Sequence, residues 1–270
     1  MRSLLFVPGD SPAKIDKALA GEADGLILDL EDSVAPAAKA LARETVARVL
    51  ADTRAKPLWV RCNPIGTAEH DADVAMILHG QADALVLPKA EGAGSIRAVP
   101  LGVAVVPIAT ETPRALFALG SYADVTDRLA GLTWGAEDLP AAIGAASARE
   151  DDGRYTPPYE TVRALALFAA HAAGVPAIET VYPAFRDTEG LERYCARGRR
   201  DGFSAMMAIH PAQVEVINRA FAPTAEEIAH AEAVVAAFAA NPDAGTLALH
   251  GRMIDRPHLR QAQQLLARSR

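Results

Sequence analysis

Cysteine is scarce in this 270-residue chain, with only Cys62 and Cys195 present. Their separation fits no metal-binding motif, and two thiols fall far short of the disulfide density of a small secreted fold, so a reducing, cytoplasmic setting is expected. Aromatic residues make up only 5% of the chain. No uninterrupted apolar run is long enough to cross a bilayer, and the first one stops after five residues at Pro8-Gly9, too short for a secretory leader. Excess positive charge is missing too. Lys and Arg total 27 against 34 Asp and Glu, a net charge of -7, which leaves no basic footprint for nucleic acid or an acidic membrane. No G-x-G-x-x-G follows the first apolar run, and Gly92-Ala93-Gly94 reads as a loop rather than a dinucleotide turn. No His or Cys cluster accompanies the acidic residues, which disfavours zinc.

What the chain does contain is a recurring unit. Short apolar runs bounded by Gly, Pro or Asp predict strands over Ser3–Pro8, Gly25–Glu31, Pro57–Asn63, Ala84–Lys89, Ala104–Thr110, Gly131–Asp138, Pro176–Tyr182 and Ser204–His210. Continuous apolarity is the mark of strands buried on both faces, and the intervening segments carry helical spacing. Ser11-Pro12 signals one helix start, and Thr224 with Glu227 forms a capping box opening a helix to Ala240. Eight strands with eight crossovers predict an α/β fold, a TIM (β/α)8 barrel over residues 1–222. Residues 223–270 form a C-terminal helix followed by a turn-rich break, the segment TLALHGRMIDRPH and a last helix. This appendage reads as a lid over the barrel mouth, an arm to a second subunit, or a plain structural cap.

Ionisable residues crowd the C-terminal ends of these runs, where barrel enzymes place their chemistry. Asp29, Glu31 and Asp32 follow the second run; Arg61 and Asn63 the third; Lys89, Glu111, the pair Glu137 and Asp138, Tyr182 and His210 follow later ones. Six carboxylates facing Arg61 and Lys89 point to an anionic ligand bridged by a divalent cation, because buried charge is costly unless paired or metal-bound. Glu111 and Asp138 end neighbouring strands and can converge on one Mg2+, although Asp138 could instead cap the helix at Leu139-Pro140. Arg61 would aim its planar fork at a carboxylate or thioester oxygen, or else pair with Asp29 or Glu31. Lys39 and Arg43, four apart on one helix, could bind phosphates or simply form a solvated face. His210, before Pro211, is given no proton-transfer role.

Taken together, RSLLFVPGD, LILDLEDSV with Lys39 and Arg43, WVRCNP, LPKAE, ATETP, WGAEDL, AIHP and GRMIDRPH resemble the citrate lyase β-subunit-like family of Mg2+-dependent carbon–carbon lyases. Its relatives are the malyl-CoA and citramalyl-CoA lyases of the HpcH/HpaI aldolase superfamily and malate synthase, and the resemblance spans essentially the whole chain. It implies Mg2+, with Mn2+ as a possible substitute, on Glu111 and Asp138. It also implies substrate and enolate contact by Arg61, and a keto-acid carboxylate cradle from the amides around Ala136 and Glu137. Asp255 matches an acid/base aspartate on the lid, often supplied by an adjacent subunit, and Lys39 and Arg43 match positions near the CoA phosphates. The implied reaction is cleavage or formation of a 3-hydroxyacyl-CoA, such as citramalyl-CoA, malyl-CoA or a citryl thioester, to a 2-keto acid plus acetyl-CoA. A homo-oligomer, trimer or hexamer, and an acyl-carrier partner are the associated expectations. A metal-dependent aldolase on free hydroxy-keto acids and a non-catalytic, carrier-dependent β-subunit are the alternatives. Two departures stand out. Glu179 replaces a common Asp, which bears on the wall of the acyl pocket, and the chain lacks the longer C-terminal domains of some malyl-CoA lyases.

Overall fold

A computed structural model describes residues 1–52 and 55–268. Eight parallel strands form the core of a first compact unit, Met1–Phe221: β1 (Ser3–Pro8), β2 (Gly25–Asp29), β3 (Leu58–Arg61), β4 (Ala84–Leu87), β5 (Val105–Pro107), β6 (Leu132–Thr133), β7 (Ala177–Glu179) and β8 (Ala205–Ala208). Their order is β5-β4-β3-β2-β1-β8-β7-β6. Parallel bridges Val105–Leu129 and Ile108–Thr133 bring β5 alongside β6, so the sheet is a nearly closed α/β barrel of the TIM type.

Side-chain alternation splits the apolar residues into two layers. Leu4, Ile27, Trp59, Val86, Val106, Ile108, Ile178 and Met207 fill the barrel interior. Their neighbours in sequence, among them Leu5, Leu26, Leu28, Leu58, Val60, Leu85 and Leu87, turn outward beneath the helices. Both faces of the sheet are therefore apolar, which explains the unbroken runs in the sequence. Crossovers such as Lys39–Ala51, His70–His79, Pro157–Ala172 and Thr188–Asp201 cover the outer layer.

The observed strands start with the runs or one residue later, and all but β1 stop earlier. The run Gly131–Asp138 contributes only Leu132–Thr133 to the ladder, and the charged residues beyond the strands leave it. Between β1 and the first crossover, Gly9 donates its amide to the Asp29 carbonyl at 2.8 Å; a Cβ there would lie 2.7 Å from that oxygen. Ser11 makes no side-chain cap, although Pro12 opens the helix as expected. Cys62 and Cys195 are buried free thiols. Among the described residues no helix is long and apolar enough to cross a membrane.

The second compact unit is Ala222–Arg270. Its first helix, Ala225–Ala240, opens with the Thr224–Glu227 capping box. A hairpin follows, β9 (Thr246–Leu249) paired antiparallel with β10 (Arg252–Asp255). His250 and Gly251, with φ of 47° and 74°, make the left-handed two-residue turn that suits strand twist. The last helix, Arg256–Arg268, packs on the first, with Ala231, Val234, Phe238, Ile254 and Ala262 as the unit's own core.

Candidate active site

Charges at the strand ends form a continuous chain. Asp29 and Arg61 are register partners on β2 and β3, so their side chains share the inner face. Arg61 Nε and Nη2 donate to the two Asp29 oxygens at 2.7 Å each, and Nη1 lies 2.8 Å from Glu31 Oε2. Phe6 stacks 4.8 Å from the guanidinium. Glu31 Oε1 accepts from Lys89 Nζ at 2.9 Å, and the same ammonium lies 3.2 Å from Asp138 Oδ2. The Lys89 backbone amide donates to Glu111 Oε2 at 2.6 Å. Lys89 thus gathers carboxylates that follow β2, β5 and β6.

The backbone at Lys89 is left-handed, with φ of 52°. That conformation is costly for a side chain larger than glycine, and such strain clusters at functional sites. Here it turns the amide toward Glu111 while the ammonium reaches Glu31 and Asp138. At β6, Thr110 Oγ1 donates to the Gly135 carbonyl and accepts from the Gly135 amide. A Cβ on Gly135 would stand 2.8 Å from Glu111 Cγ, so glycine is what lets the carboxylate lie against this strand end.

The electrostatics follow from burial. Burial opposes ionisation of Asp29, but the hydrogen bonds and charge of Arg61 outweigh it and hold the carboxyl below its ordinary range. For Glu31 burial wins over Arg61 and Lys89, and its carboxyl is raised. Glu111 is pushed up to about 8 by burial, against the Lys89 amide and charge and with Glu31 and Asp138 adding repulsion. Fully ionised, Asp29, Glu31, Glu111 and Asp138 would outnumber the two cations, Arg61 and Lys89, by two; the crowding is relieved by the raised Glu111, which an added cation would ionise.

This donor set fits a hard divalent cation. Glu111 Oε1 takes no hydrogen bond among the described residues, and the Asp138 side chain makes no cap on the helix Leu139–Ile143 that it precedes, which removes the capping reading. Among the described residues no three His, Cys, Asp or Glu side chains converge into a full cage. Two carboxylates suffice for Mg2+, which keeps waters and completes its octahedron with ligand oxygens.

The family model described as HpcH/HpaI aldolase/citrate lyase matches residues 2–211. The chain belongs to this family. It is an enzyme, and its chemistry is that of a lyase. A citrate lyase subunit beta-like protein of Mycobacterium tuberculosis is 37% identical, covering 98% of this chain and 94% of its own. A (3S)-malyl-CoA thioesterase of Cereibacter sphaeroides is 34% identical, covering 99% and 94%. The crystal structure of CitE from M. tuberculosis in complex with magnesium, acetoacetate and coenzyme A matches with a TM-score of 0.86 at 34% identity, covering 99% of this chain and 97% of that one.

Within this family member the other sequence candidates fall as follows. Ala136 is buried and Glu137 exposed, side by side between Gly135 and Asp138. Lys39 is not solvated: its ammonium donates to the Leu30 and Glu31 carbonyls at 2.6 Å each, tying down the loop after β2. Arg43 pairs with Glu69 and with buried Asp73, the latter at 3.0 Å. His210 accepts from the Ala212 amide and stacks on Phe185, a structural role. Asp255 belongs to the second unit.

Glu179 does not line the barrel mouth. Ile178 points inward, so Glu179 points outward and is fully buried, accepting from Trp134 Nε1 (2.6 Å), Tyr194 OH (2.9 Å), the Thr180 amide (3.0 Å) and Arg163 Nε (2.8 Å). It braces the Trp134 end of β6 from behind. Lys89 is expected from the sequence only as a cation facing the carboxylates, not as the residue that gathers them. Its place directly after an apolar run was a signal, but its left-handed backbone and its reach to Asp138 were not readable.

Proposed function

We propose that this protein is a Mg2+-dependent carbon–carbon lyase acting on a 3-hydroxyacyl-CoA of the citramalyl-CoA or malyl-CoA kind, giving a 2-keto acid and acetyl-CoA. The observation that carries the reading is the charge chain Asp29–Arg61–Glu31–Lys89–Asp138, with buried Glu111 on the Lys89 amide and more carboxyls than cations at the strand ends. The magnesium, acetoacetate and coenzyme A bound by the M. tuberculosis CitE support the choice of metal and of ligand class.

Glu111 and Asp138 would hold the metal. Bound there, Mg2+ supplies Lewis-acid stabilisation of negative charge on the keto-acid oxygens. In cleavage the substrate hydroxyl gives its proton to solvent water, the bond between the hydroxyl-bearing carbon and the thioester α-carbon breaks, and the electron pair stays on the thioester as an enolate that is then protonated at the α-carbon. Arg61 donates two of its five N–H groups to Asp29 and meets Glu31 as an ion pair without a hydrogen bond, so donors remain to face enolate charge. Amides around Ala136 and Glu137 cradle the keto-acid carboxylate. Asp255, carried by the second unit as a lid, gives the α-carbon its proton and takes it back in condensation. Lys39, which holds the loop after β2, and Arg43, paired with Glu69 and Asp73, would lie beside the CoA phosphates. A homo-oligomer that shares lids between subunits and a cytoplasmic location complete the reading.

The test is a panel of citramalyl-CoA, malyl-CoA and the corresponding free acids, each with Mg2+, monitored for keto acid and for free thiol. Keto acid from a thioester, without free thiol, is the expected result. Free thiol alone would identify thioester hydrolysis, the activity named for the C. sphaeroides relative. Turnover of free acids alone would identify an aldolase without a CoA substrate.

A further inference from the structure

The second unit presents one acidic side chain in an unusual pairing. Ile254 is buried against Val234 and Phe238, so strand alternation sends Asp255 outward at the end of β10. The last helix begins at the next residue, and the His258 amide donates to Asp255 Oδ1 at 3.3 Å. Asp255 is thus the helix cap, with Pro257 in the first turn and His258 at the position where a capping box carries Glu or Gln. The His258 ring turns back toward the cap: its Nδ1 lies 2.5 Å from Asp255 Oδ1 and 3.2 Å from the Asp255 amide. We assign the proton between them to Nδ1, so the ring donates to an ionised Oδ1; Nδ1 then cannot also accept from the Asp255 amide, which only lies against it.

Arg256, the adjacent cation, is occupied elsewhere. Its guanidinium donates to the Pro242 carbonyl and stacks 5.3 Å from the Phe238 ring centroid. Among the described residues no side chain other than His258 hydrogen-bonds the Asp255 carboxylate, and Oδ2 takes no hydrogen bond at all.

We infer that His258 is the positioning residue for Asp255: its imidazole fixes Oδ1 and one carboxylate rotamer, leaving Oδ2 to exchange the proton at the thioester α-carbon. This rests on the acid/base reading of Asp255 given above. In cleavage the proton leaves Asp255 Oδ2 for the α-carbon of the enolate and the O–H electron pair stays on Oδ2; in condensation Oδ2 takes the proton back. The Nδ1–H bond to Oδ1 persists throughout, and His258 transfers no proton. The same hydrogen bond holds the Asp255 carboxyl below its ordinary range, which suits the base role in condensation; in cleavage Oδ2 first takes a proton from solvent and then passes it to the α-carbon. A Glu at position 258 could close the cap through the Asp255 amide but has no donor for Oδ1, whereas the imidazole supplies one.

The experiment compares the full-length enzyme with Asp255→Asn, His258→Ala, His258→Asn and the double variant Asp255→Asn/His258→Ala, each with Mg2+ and citramalyl-CoA or malyl-CoA, whichever the panel shows to be cleaved. His258→Ala is expected to lower kcat about 10- to 100-fold with KM changed less than about twofold. His258→Asn, whose amide can reach Oδ1 as Nδ1 does, should recover most of that loss. Asp255→Asn should lose about 10²- to 10⁴-fold, and the double variant no more than that, since the two residues act as a unit. Thermal midpoints within a few degrees of wild type check that the helix cap survives. Wild-type kcat in His258→Ala beside an inactive Asp255→Asn overturns the role of His258 and leaves the Asp255 reading standing. Loss in His258→Ala with no recovery in His258→Asn also overturns it. Wild-type kcat in Asp255→Asn overturns both.

Discussion

Asp29 and Arg61 face each other in register across β2 and β3, and the guanidinium spans both oxygens of the carboxylate at 2.7 Å. The pairing fixes the plane of the arginine at the barrel mouth, with Glu31 on its third nitrogen and Phe6 against its face. A lysine in its place would keep the charge and lose the fork. Arg61→Lys is expected to lower kcat about 10²-fold, as for removal of a preorganised donor, while the protein stays folded by circular dichroism. A loss under about threefold would show that a point charge is enough.

Gly135 tests the architecture behind Glu111. Its Cβ position is 2.8 Å from Glu111 Cγ and 3.1 Å from Ile108 Cγ2. Gly135→Ala is expected to displace the Glu111 side chain and weaken Mg2+ at least about tenfold by calorimetry, about 1.4 kcal/mol. An unchanged titration would mean that Glu111 holds no metal in this pose.

Glu179 and Arg163 are a buried ion pair, Oε2 to Nη2 at 2.7 Å, with Arg163 also reaching Asp201. Removing one partner leaves the other charge buried. Glu179→Gln should cost roughly 3 kcal/mol in urea unfolding, at the lower end of the range for a broken buried pair because Asp201 remains. A loss below about 1 kcal/mol would show that Glu179 is dispensable as a brace for Trp134.

The barrel is legible in the sequence and the site only in part, for physical reasons. Runs such as LILD and ALVL are apolar on both strand faces, so the eight strands could be read directly. Their ends could not: Trp134 to Asp138 continue an apolar-to-acidic run, but the ladder closes at Thr133, where β5 and β7 cease to offer partners. Arg61 is legible as a choice between ligand contact and salt bridge, and the structure shows the salt bridge with N–H donors to spare. Lys39 and Arg43 share a helix face as their spacing demands, but only through-space packing reveals that one binds carbonyls and the other Asp73. Lys89 and His258 depend on a left-handed backbone and on a ring turned back onto its own cap, which spacing alone does not encode.

Thiol chemistry offers an independent check on the mechanism. Cys62 and Cys195 are fully buried, and burial raises both thiols, Cys195 to about 12, so neither supplies a thiolate nucleophile near neutral pH. Native protein should take up no aromatic disulfide reagent over minutes, and urea-unfolded protein should take up two equivalents. Rapid labelling of the native fold would reopen a covalent thioester route.

The most direct test is a crystal grown with Mn2+ in place of Mg2+ and examined by anomalous scattering. The expected result is one strong peak about 2.1–2.2 Å from carboxylate oxygens of both Glu111 and Asp138, with the Lys89 ammonium drawn back from Asp138. A peak bound elsewhere, or none at a saturating metal concentration, would contradict the proposed active site.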